Sequence, residues 1–389
     1  MLRFSSLRRV LIGVILFIYL VLVLIIWSLL HPSQSMSIKD VFRLERLKTP
    51  CDCPHAPSST IASPTRVHII QNTISVKTVK LNKTKMKPVT DMVTDDPYPY
   101  VDFKLVFPST VPVIKGSRNF FLIVLVISAA KGEVYRERRN IIRRTWGSLT
   151  SCEQVRATNN VKIRRLRWKL VFVLGKTGPE TNDDKLNAEE AKQHNDLLIG
   201  NIDDNYVNLI IKCYMAQLWA STFNAKYTMK ADDDVYVRIP GVIEYLADEN
   251  FPSNFYGGYT RHNEIPVRKL TTKWRISKNS YPEDHWPPFN TGGFYILSTD
   301  LLGRLFNYVN IRKPFHLEDT YVAVAMNHFG VNALRISSFV ISSSMPSYLS
   351  EMNNCKILSI VAFGHNVNGT LVHHKIESMC SKNITSKSC

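Results

Sequence analysis

Hydrophobic residues fall into several continuous runs, separated by amphipathic or charged segments. Residues 120–127 and 169–175 are almost entirely apolar, which is typical of strands buried on both faces. Residues 227–231 predict another strand. Apolar positions at helical spacing predict helices over 136–146 and over a segment that ends near Phe223. Strands that alternate with helices predict an α/β fold with parallel strands, in which ligands bind at the carboxyl ends of the strands.

The run over residues 10–30 is different, because it is 21 residues long and carries no charged side chain. A helix of that length rises about 30 Å and crosses the hydrocarbon core of a bilayer. The run is too long for a cleaved signal peptide and too uniformly apolar for a buried helix, so a transmembrane signal-anchor is favoured. The arginines in residues 1–9 predict a cytoplasmic tail, which makes everything after residue 30 lumenal or extracellular in the type II orientation.

Residues 31–115 contain 10 of the 19 prolines and none of the six tryptophans. Such a segment buries too little apolar surface to offset its conformational entropy. We therefore expect a flexible lumenal stem over 31–115, followed by one well-buried domain over 116–389.

The composition is that of a globular protein, since 45% of the residues are hydrophobic and 21% are charged. A formal net charge of +17 raises nucleic acid as a partner. The charge is spread over the tail, the stem and the domain, however, and no basic face with interleaved aromatic residues stands out. We therefore expect no nucleic-acid partner.

The lumenal orientation makes Asn82, Asn368 and Asn383 usable N-glycosylation sites, since each begins an Asn-x-Thr sequence. It also places the seven cysteines in an oxidising compartment, although spacing alone leaves their connectivity open. Because seven is odd, at least one cysteine is free or pairs between chains. A homodimer linked through the stem cysteines Cys51 and Cys53 is one option that the sequence leaves open.

Asp232, Asp233 and Asp234 directly follow the strand predicted over 227–231. Three adjacent carboxylates repel one another unless a cation or ligand neutralises them, and carboxylate oxygens suit Mg²⁺ or Mn²⁺. A divalent ion held there could bridge to the phosphates of a nucleotide. The alternative is a solvated acidic turn that caps the following helix, and the triplet alone does not decide between the two.

The wider sequence favours the metal site, because six blocks occur in the order of a known family. The segment 230–237 around the aspartates resembles the DxD segment of glycosyltransferase family 31, the β-1,3-galactosyltransferase and β-1,3-N-acetylglucosaminyltransferase family. Five further segments resemble blocks of that family: residues 138–147, 172–175, 194–212, 273–298 and 317–322.

The resemblance implies a Rossmann-like GT-A fold in a Golgi membrane enzyme. It also implies a UDP-sugar donor, a Mn²⁺ cofactor, a glycan acceptor and an inverting reaction that forms a β-1,3 linkage. By position in the blocks, it implies that Asp234 is the metal ligand with Asp233 close by, and that Asp232 faces the uridine and ribose. It further implies that Asp319 is the general base, which takes the proton from the 3-hydroxyl of the acceptor.

Further residues are candidates for the same site. Arg139 and Arg143 lie four apart on a predicted helix, so they share a face that could meet the nucleotide or simply be solvated. His365 is a candidate metal ligand. The remaining substrate-binding candidates are two tryptophans, two glycines and one glutamate: Trp274, Trp286, Gly292, Gly293 and Glu318. The tryptophans are either sugar-stacking platforms or core residues. The glycines allow close backbone approach or a turn, and the glutamate directly precedes Asp319.

The chain departs from the family pattern at Trp286, Phe289, Thr320 and Ala323, so the transferred sugar stays open among Gal, GlcNAc and GalNAc. The acceptor stays open between glycoproteins and glycolipids. The alternative function is a catalytically inactive GT-A domain that serves as a lumenal glycan-binding or chaperone partner, and a third is a phosphatase or nucleotidase. Retention of the aspartate triplet together with Asp319 favours the transferase, because a binding protein needs no base.

Overall fold

The computed structural model describes residues 101–269, 272–342 and 345–384. These residues belong to one compact unit. The predicted tail, membrane anchor and most of the stem, including Asn82, Cys51 and Cys53, lie outside them. In the described part of the chain, no helix is both long and apolar enough to cross a membrane.

Strands and helices alternate through the first half of the described residues, as the sequence predicts. The strands are β1 (Asn119–Ile127), β2 (Trp168–Lys176), β3 (Leu197–Asp203), β4 (Asn224–Asp232), β5 (Tyr236–Val237), β6 (Tyr256–Arg261), β7 (Phe289–Ser298), β8 (Ala333–Arg335), β9 (Phe339–Ile341) and β10 (Ala362–Gly364). The helices are α1 (Glu133–Arg144), α2 (Cys152–Ala157), α3 (Asp183–His194), α4 (Leu209–Ser221), α5 (Ile239–Asp248), α6 (Leu302–Tyr308), α7 (Glu318–His328), α8 (Met345–Glu351), α9 (Asn354–Ser359) and α10 (Gly369–Ser381).

Seven of the strands form one sheet in the order β3-β2-β1-β4-β7-β6-β8. The half from β3 to β4 is parallel, which confirms the prediction for this part. β7 runs antiparallel to both β4 and β6, so the complete sheet is mixed rather than parallel. A second sheet has the order β5-β10-β9 and includes the short strand that begins two residues after the aspartate triplet.

The central strand β1 is buried on both faces, as its apolar run predicts. Ile123 and Leu125 point to one face, where α4 packs, and Leu122 and Val124 point to the other, where the core includes Phe363 of the small sheet. Alternate side chains of an extended strand point to opposite faces, so a strand that is covered on both sides requires the continuous hydrophobic run found here.

The structured domain begins earlier than the sequence predicts. Val101 is only 3% exposed, and the ring of Phe103 packs edge-on against Tyr214 at a centroid distance of 5.2 Å. The backbone of Thr110 forms a bridge with Ile199 of β3. Residues 101–115 therefore pack on the domain rather than belonging to a flexible stem, and their irregular apolar spacing gives no periodic signal.

A buried ion pair fixes the carboxyl ends of β1 and β2 against α4. Asp204 Oδ2 accepts backbone hydrogen bonds from Ala130 at 2.8 Å and Gly175 at 2.9 Å. Its other oxygen lies 2.7 Å from Lys212 Nζ, which also donates to the Ser128 carbonyl at 2.9 Å. The side chains of this pair are only 5% and 6% exposed. The loop after β1, the end of β2 and helix α4 are thus all connected through the Asp204 carboxylate.

A disulfide between Cys152 and Cys380 joins α2 to α10 across 228 residues of sequence. Cys355 is also disulfide-bonded, and Cys213 is the free, buried cysteine of the described residues. This pairing was not accessible from spacing, because the two partners come together only through the packing of the C-terminal helix.

We expect Lys212→Met to lower the free energy of unfolding by about 3 kcal/mol, because it leaves Asp204 as an uncompensated buried charge. Urea denaturation of the full chain, followed by tryptophan fluorescence, measures this change. The matched control is Lys162→Met, whose pair with Asp248 is exposed, and we expect no measurable effect there. Equal stability of the two variants would contradict the role of the buried pair.

Candidate active site

Asp233 is the buried member of the aspartate triplet at the end of β4, with 8% of its surface exposed. One carboxylate oxygen accepts a hydrogen bond from Ser128 Oγ at 2.7 Å, and the other accepts one from Arg138 Nη1 at 2.9 Å. Burial raises the pKa of Asp233, while these two partners oppose the rise. The protein itself therefore occupies both oxygens of this carboxylate.

The other two aspartates form a group with His365. His365 Nδ1 lies 3.1 Å from Asp234 Oδ1 and 3.8 Å from Asp232 Oδ2. One ligand atom from each of the three side chains lies within 4.8 Å of the others, and all three side chains are partly exposed. Two carboxylates and an imidazole are donors that Mn²⁺ accepts, so the residues present fit this cation.

His365 reaches this group through the small sheet. β10 pairs antiparallel with β5, and β5 begins two residues after Asp234. The backbone N–H of Val367 donates to the Asp234 carbonyl at 3.0 Å. Because β10 ends at Gly364, the pairing places the next residue, His365, beside the aspartates, 131 residues away from them in the sequence.

The charges of this group are coupled. Burial opposes ionisation of Asp234, but the hydrogen bonds from His365 and Asn366 outweigh it and lower the pKa of that carboxyl. The hydrogen bond to Asp234 raises the pKa of His365. A metal ion would take the place of the imidazole proton, so a proton and a cation compete for the same site.

The structure groups the three aspartates differently from the family-based expectation. That expectation placed Asp233 close to the metal and turned Asp232 towards the uridine and ribose. Here Asp233 is held by Ser128 and Arg138, and Asp232 joins Asp234 and His365 in the candidate metal group. Asp232 ends β4, whereas Asp233 and Asp234 lie in the turn that follows, so the three side chains do not share one strand face.

Asp319 lies in the first turn of α7, partly exposed at the surface. Its Oδ2 accepts a hydrogen bond from the Gly292 N–H at 2.8 Å, and its Oδ1 accepts one from its neighbour Thr320 at 2.8 Å. Burial raises the pKa of Asp319, and the ammonium of Lys230 opposes the rise. Asp319 is thus a fixed carboxylate that is a stronger base than an ordinary aspartate.

Glu318 has a different environment from its neighbour. It is 2% exposed and accepts a hydrogen bond from the Tyr295 hydroxyl of β7. Burial raises the pKa of Glu318 to about 7. Its side chain is enclosed by the core, so it supports the helix start rather than forming part of the surface that a substrate could reach.

Gly292 and Gly293 of β7 separate the candidate metal group from Asp319. A Cβ on Gly292 would lie 3.3 Å from Asp319 Oδ2, and one on Gly293 would lie 2.8 Å from His365 Nε2. The second distance is a steric clash, and the first is a tight contact. The absence of side chains at these two positions lets the His365 imidazole and the Asp319 carboxylate lie on either side of one strand segment.

Arg139 and Arg143 share a helix face, as their spacing predicts, but this face meets α3 rather than the aspartates. Arg139 is fully buried and pairs with Glu190 at 2.5 Å. Arg143 pairs with the same glutamate at 2.6 Å and with Asp196 at 2.8 Å. Their donors are used in this ion-pair network, and Arg138 is the arginine of α1 that reaches the triplet.

The two candidate tryptophans have opposite environments. Trp286 is 7% exposed and stacks on Tyr281 at a centroid distance of 4.0 Å, so it is a core residue. Trp274 is 57% exposed. Lys273 Nζ lies 5.4 Å from the Trp274 ring and 5.3 Å from the ring of Tyr206, whose pKa is raised by burial and by Asp319. Lys273 thus connects the exposed Trp274 ring to Tyr206, which lies close enough to Asp319 to interact with it.

A cleft of about 380 Å³ adjoins the aspartates. Its lining includes Arg138, Trp146, Asp233, Asp234 and Asn368.

The predicted glycosylation residue Asn368 is exposed and accepts a hydrogen bond from the Leu371 N–H at the start of α10. The second, Asn383, is also exposed, and its side-chain oxygen accepts a hydrogen bond from Arg156 at 2.5 Å.

Sequence reasoning assigned no role to Lys230, Arg138 or Tyr206, although all three lie at the site. For Lys230 a signal was present, because it lies two residues before Asp232 on the same strand and therefore points to the same side. For Arg138 and Tyr206 no such signal exists, since their contacts depend on how α1 and the loop before α4 pack against the sheet.

Comparison with known proteins identifies the family to which the chain belongs. The Galactosyltransferase family model matches residues 137–336. The chain is 30% identical over 220 residues to beta-1,3-galactosyltransferase 5 of Pan paniscus, which covers 56% of this chain and 68% of that protein. It is 30% identical over 230 residues to beta-1,3-galactosyltransferase 1 of Mus musculus, which covers 58% of this chain and 66% of that protein.

Among solved structures, the chain is similar to mouse xyloside xylosyltransferase 1 in its apo form. The TM-score is 0.33 at 11% sequence identity, and the match covers 64% of this chain and 99% of that chain.

We expect His365→Ala to weaken Mn²⁺ binding at least about tenfold, the loss that removal of even an outer partner of a metal ligand produces. Isothermal titration of the full chain with MnCl₂ measures the affinity. His374→Ala is the matched control, because His374 is exposed on α10. An unchanged affinity in His365→Ala would exclude the imidazole from the metal site.

Proposed function

Because the chain belongs to the galactosyltransferase family, we propose that it is an inverting β-1,3-glycosyltransferase of GT-A fold. It moves a hexose or N-acetylhexosamine from a UDP-sugar to the 3-hydroxyl of a glycan acceptor on a glycoprotein or glycolipid. The observation that carries the proposal is the pair Gly292 and Gly293, which has His365 on one side and Asp319 on the other. The candidate metal group and the candidate base are thus separated by two glycines of one strand.

On the donor side, Asp232, Asp234 and His365 hold the cation. When bound, Mn²⁺ supplies positive charge to the diphosphate oxygens of the leaving UDP. The lowered pKa of Asp234 keeps that carboxyl ionised over the working pH range, so the site is ready to bind a cation. Galactose is the first sugar to test, since the two relatives are named as galactosyltransferases.

On the acceptor side, Asp319 accepts the proton of the attacking hydroxyl. An inverting transfer is a single in-line displacement, so it requires one base, placed opposite the leaving group. The hydrogen bond from Gly292 fixes the position of Asp319 Oδ2, and burial makes it a better proton acceptor than an exposed aspartate. The exposed ring of Trp274 is placed to stack on the apolar face of an acceptor sugar.

The predicted anchor and stem complete the proposal. With residues 10–30 in the membrane and the tail of residues 1–9 in the cytoplasm, the domain is lumenal, and a Golgi membrane is the compartment that fits a UDP-sugar transferase. Asn82, Asn368 and Asn383 are then N-glycosylation sites, and the exposure of the last two is compatible with modification.

The base is tested with Asp319→Asn in the full-length protein, assayed in detergent with MnCl₂, a panel of UDP-sugars and a panel of glycan acceptors. We expect kcat to fall by about 10²- to 10⁴-fold, the usual contribution of a general base, with Mn²⁺ affinity unchanged. Asp203→Asn is the control, because Asp203 is exposed at the end of β3.

The same assay has a pH arm. Transfer by the wild type should decline as the pH falls through the raised pKa of Asp319, since the protonated carboxyl cannot accept the hydroxyl proton. Equal acceptor-dependent UDP release by wild type and Asp319→Asn would refute the base. Release of UDP without any acceptor would indicate a nucleotidase instead.

The acceptor surface is tested with Trp274→Ala. We expect the KM for the acceptor to rise by about fivefold or more, as for the loss of about 1 kcal/mol of stacking, with the KM for the UDP-sugar unchanged. Val161→Ala, which is 77% exposed on the connection between α2 and β2, serves as the control. A rise in the donor KM alone would place Trp274 on the donor side.

A further inference from the structure

We infer that Lys230 is a positioning residue, which sets the distance between the metal-side carboxylate of Asp232 and the base Asp319 by holding both β4 and β7 at one ammonium group. The inference rests on the proposed function, in which these two carboxylates serve donor and acceptor. It gives a role to a buried cation that the proposed mechanism leaves unused.

The contacts of Lys230 reach both sides of the site. Its Nζ lies 2.5 Å from Asp232 Oδ1 on its own strand. The same Nζ donates to the Gly292 carbonyl of β7, 62 residues further along the chain. Gly292 in turn donates its N–H to Asp319 Oδ2 at 2.8 Å. Lys230, Gly292 and Asp319 are therefore connected in series, and Lys230 acts on the base through one residue.

The ammonium is placed to hold these groups rather than to touch a substrate. The Lys230 side chain is only 3% exposed. An ammonium has three donors, and two of them are directed at Asp232 and Gly292.

The charge balance of the site depends on the same group. The Lys230 ammonium pairs with the Asp232 carboxylate on the same strand. Its positive charge lowers the pKa of both Glu318 and Asp319 against the effect of their burial. The charged and titratable groups that face Asp319 are Lys230 and Asp232 from β4, Glu318 beside it on α7, Tyr206 from the loop before α4 and Tyr256 from β6.

The test compares Lys230→Met and Lys230→Arg with the wild type in the full-length protein, assayed for transfer from the UDP-sugar that the wild type uses. In Lys230→Met we expect kcat to fall at least tenfold with little change in the acceptor KM. We also expect the acidic limb of the kcat–pH profile to move to higher pH, because Asp319 loses the cation that lowers its pKa. Lys230→Arg restores the charge and should return the limb towards its wild-type position.

Two controls separate positioning from simple stability. Lys212→Met also removes a buried lysine from an ion pair, but it should leave the acidic limb in place. Gly292→Ala disturbs the other end of the connection, with a Cβ 3.3 Å from Asp319 Oδ2, and should lower kcat without raising the donor KM. If Lys230→Met does not fold, Lys230→Gln, which removes the charge but keeps a hydrogen-bond donor, takes its place.

The outcomes are distinct. If the wild type transfers sugar, and folded Lys230→Met or its substitute Lys230→Gln keeps the wild-type kcat and pH profile, the positioning role is wrong while the proposed function stands. An equal shift of the limb in Lys212→Met would also overturn it. If the wild type transfers no sugar to any acceptor of the panel, the proposed function fails, and the inference fails with it.

Discussion

Electrostatic repulsion among three consecutive carboxylates is the constraint on which the site depends. Asp232, Asp233 and Asp234 leave the carboxyl end of β4 together, and adjacent carboxylates in a partly buried site cannot all stay ionised without positive partners. The fold supplies a different partner to each one: Lys230 from the strand itself, Arg138 from α1 and His365 from the C-terminal sheet.

This compensation gives the three aspartates different environments. Asp233 accepts hydrogen bonds from Ser128 and Arg138, which connect the end of β1 to α1. Asp232 and Asp234 keep partly exposed oxygens beside His365, an arrangement that suits a cation. The antiparallel strand β7 pairs with β4 and brings Gly292 within hydrogen-bond distance of both Lys230 and Asp319.

Those features of the candidate site that depend on residues close together in the sequence were predictable. The buried strand before the triplet, the acidic residues that begin α7 and the shared face of Arg139 and Arg143 are all visible in spacing. Spacing could not show what that face meets, and a glutamate of α3 uses both arginines. His365 lies outside residues 137–336, which match the family model, and reaches the aspartates only because β10 pairs with β5.

The sequence by itself determined the α/β class, the parallel half of the sheet, the helices α1 and α4, and the family, because hydrophobic periodicity and ordered blocks are properties of the chain. The tertiary structure alone decided that the full sheet is mixed, that residues 101–115 pack on the domain, and that Cys152 pairs with Cys380. It also decided which cation compensates which aspartate. These features rest on contacts between residues far apart in the sequence, and their energies depend on burial and distance, which no local pattern encodes.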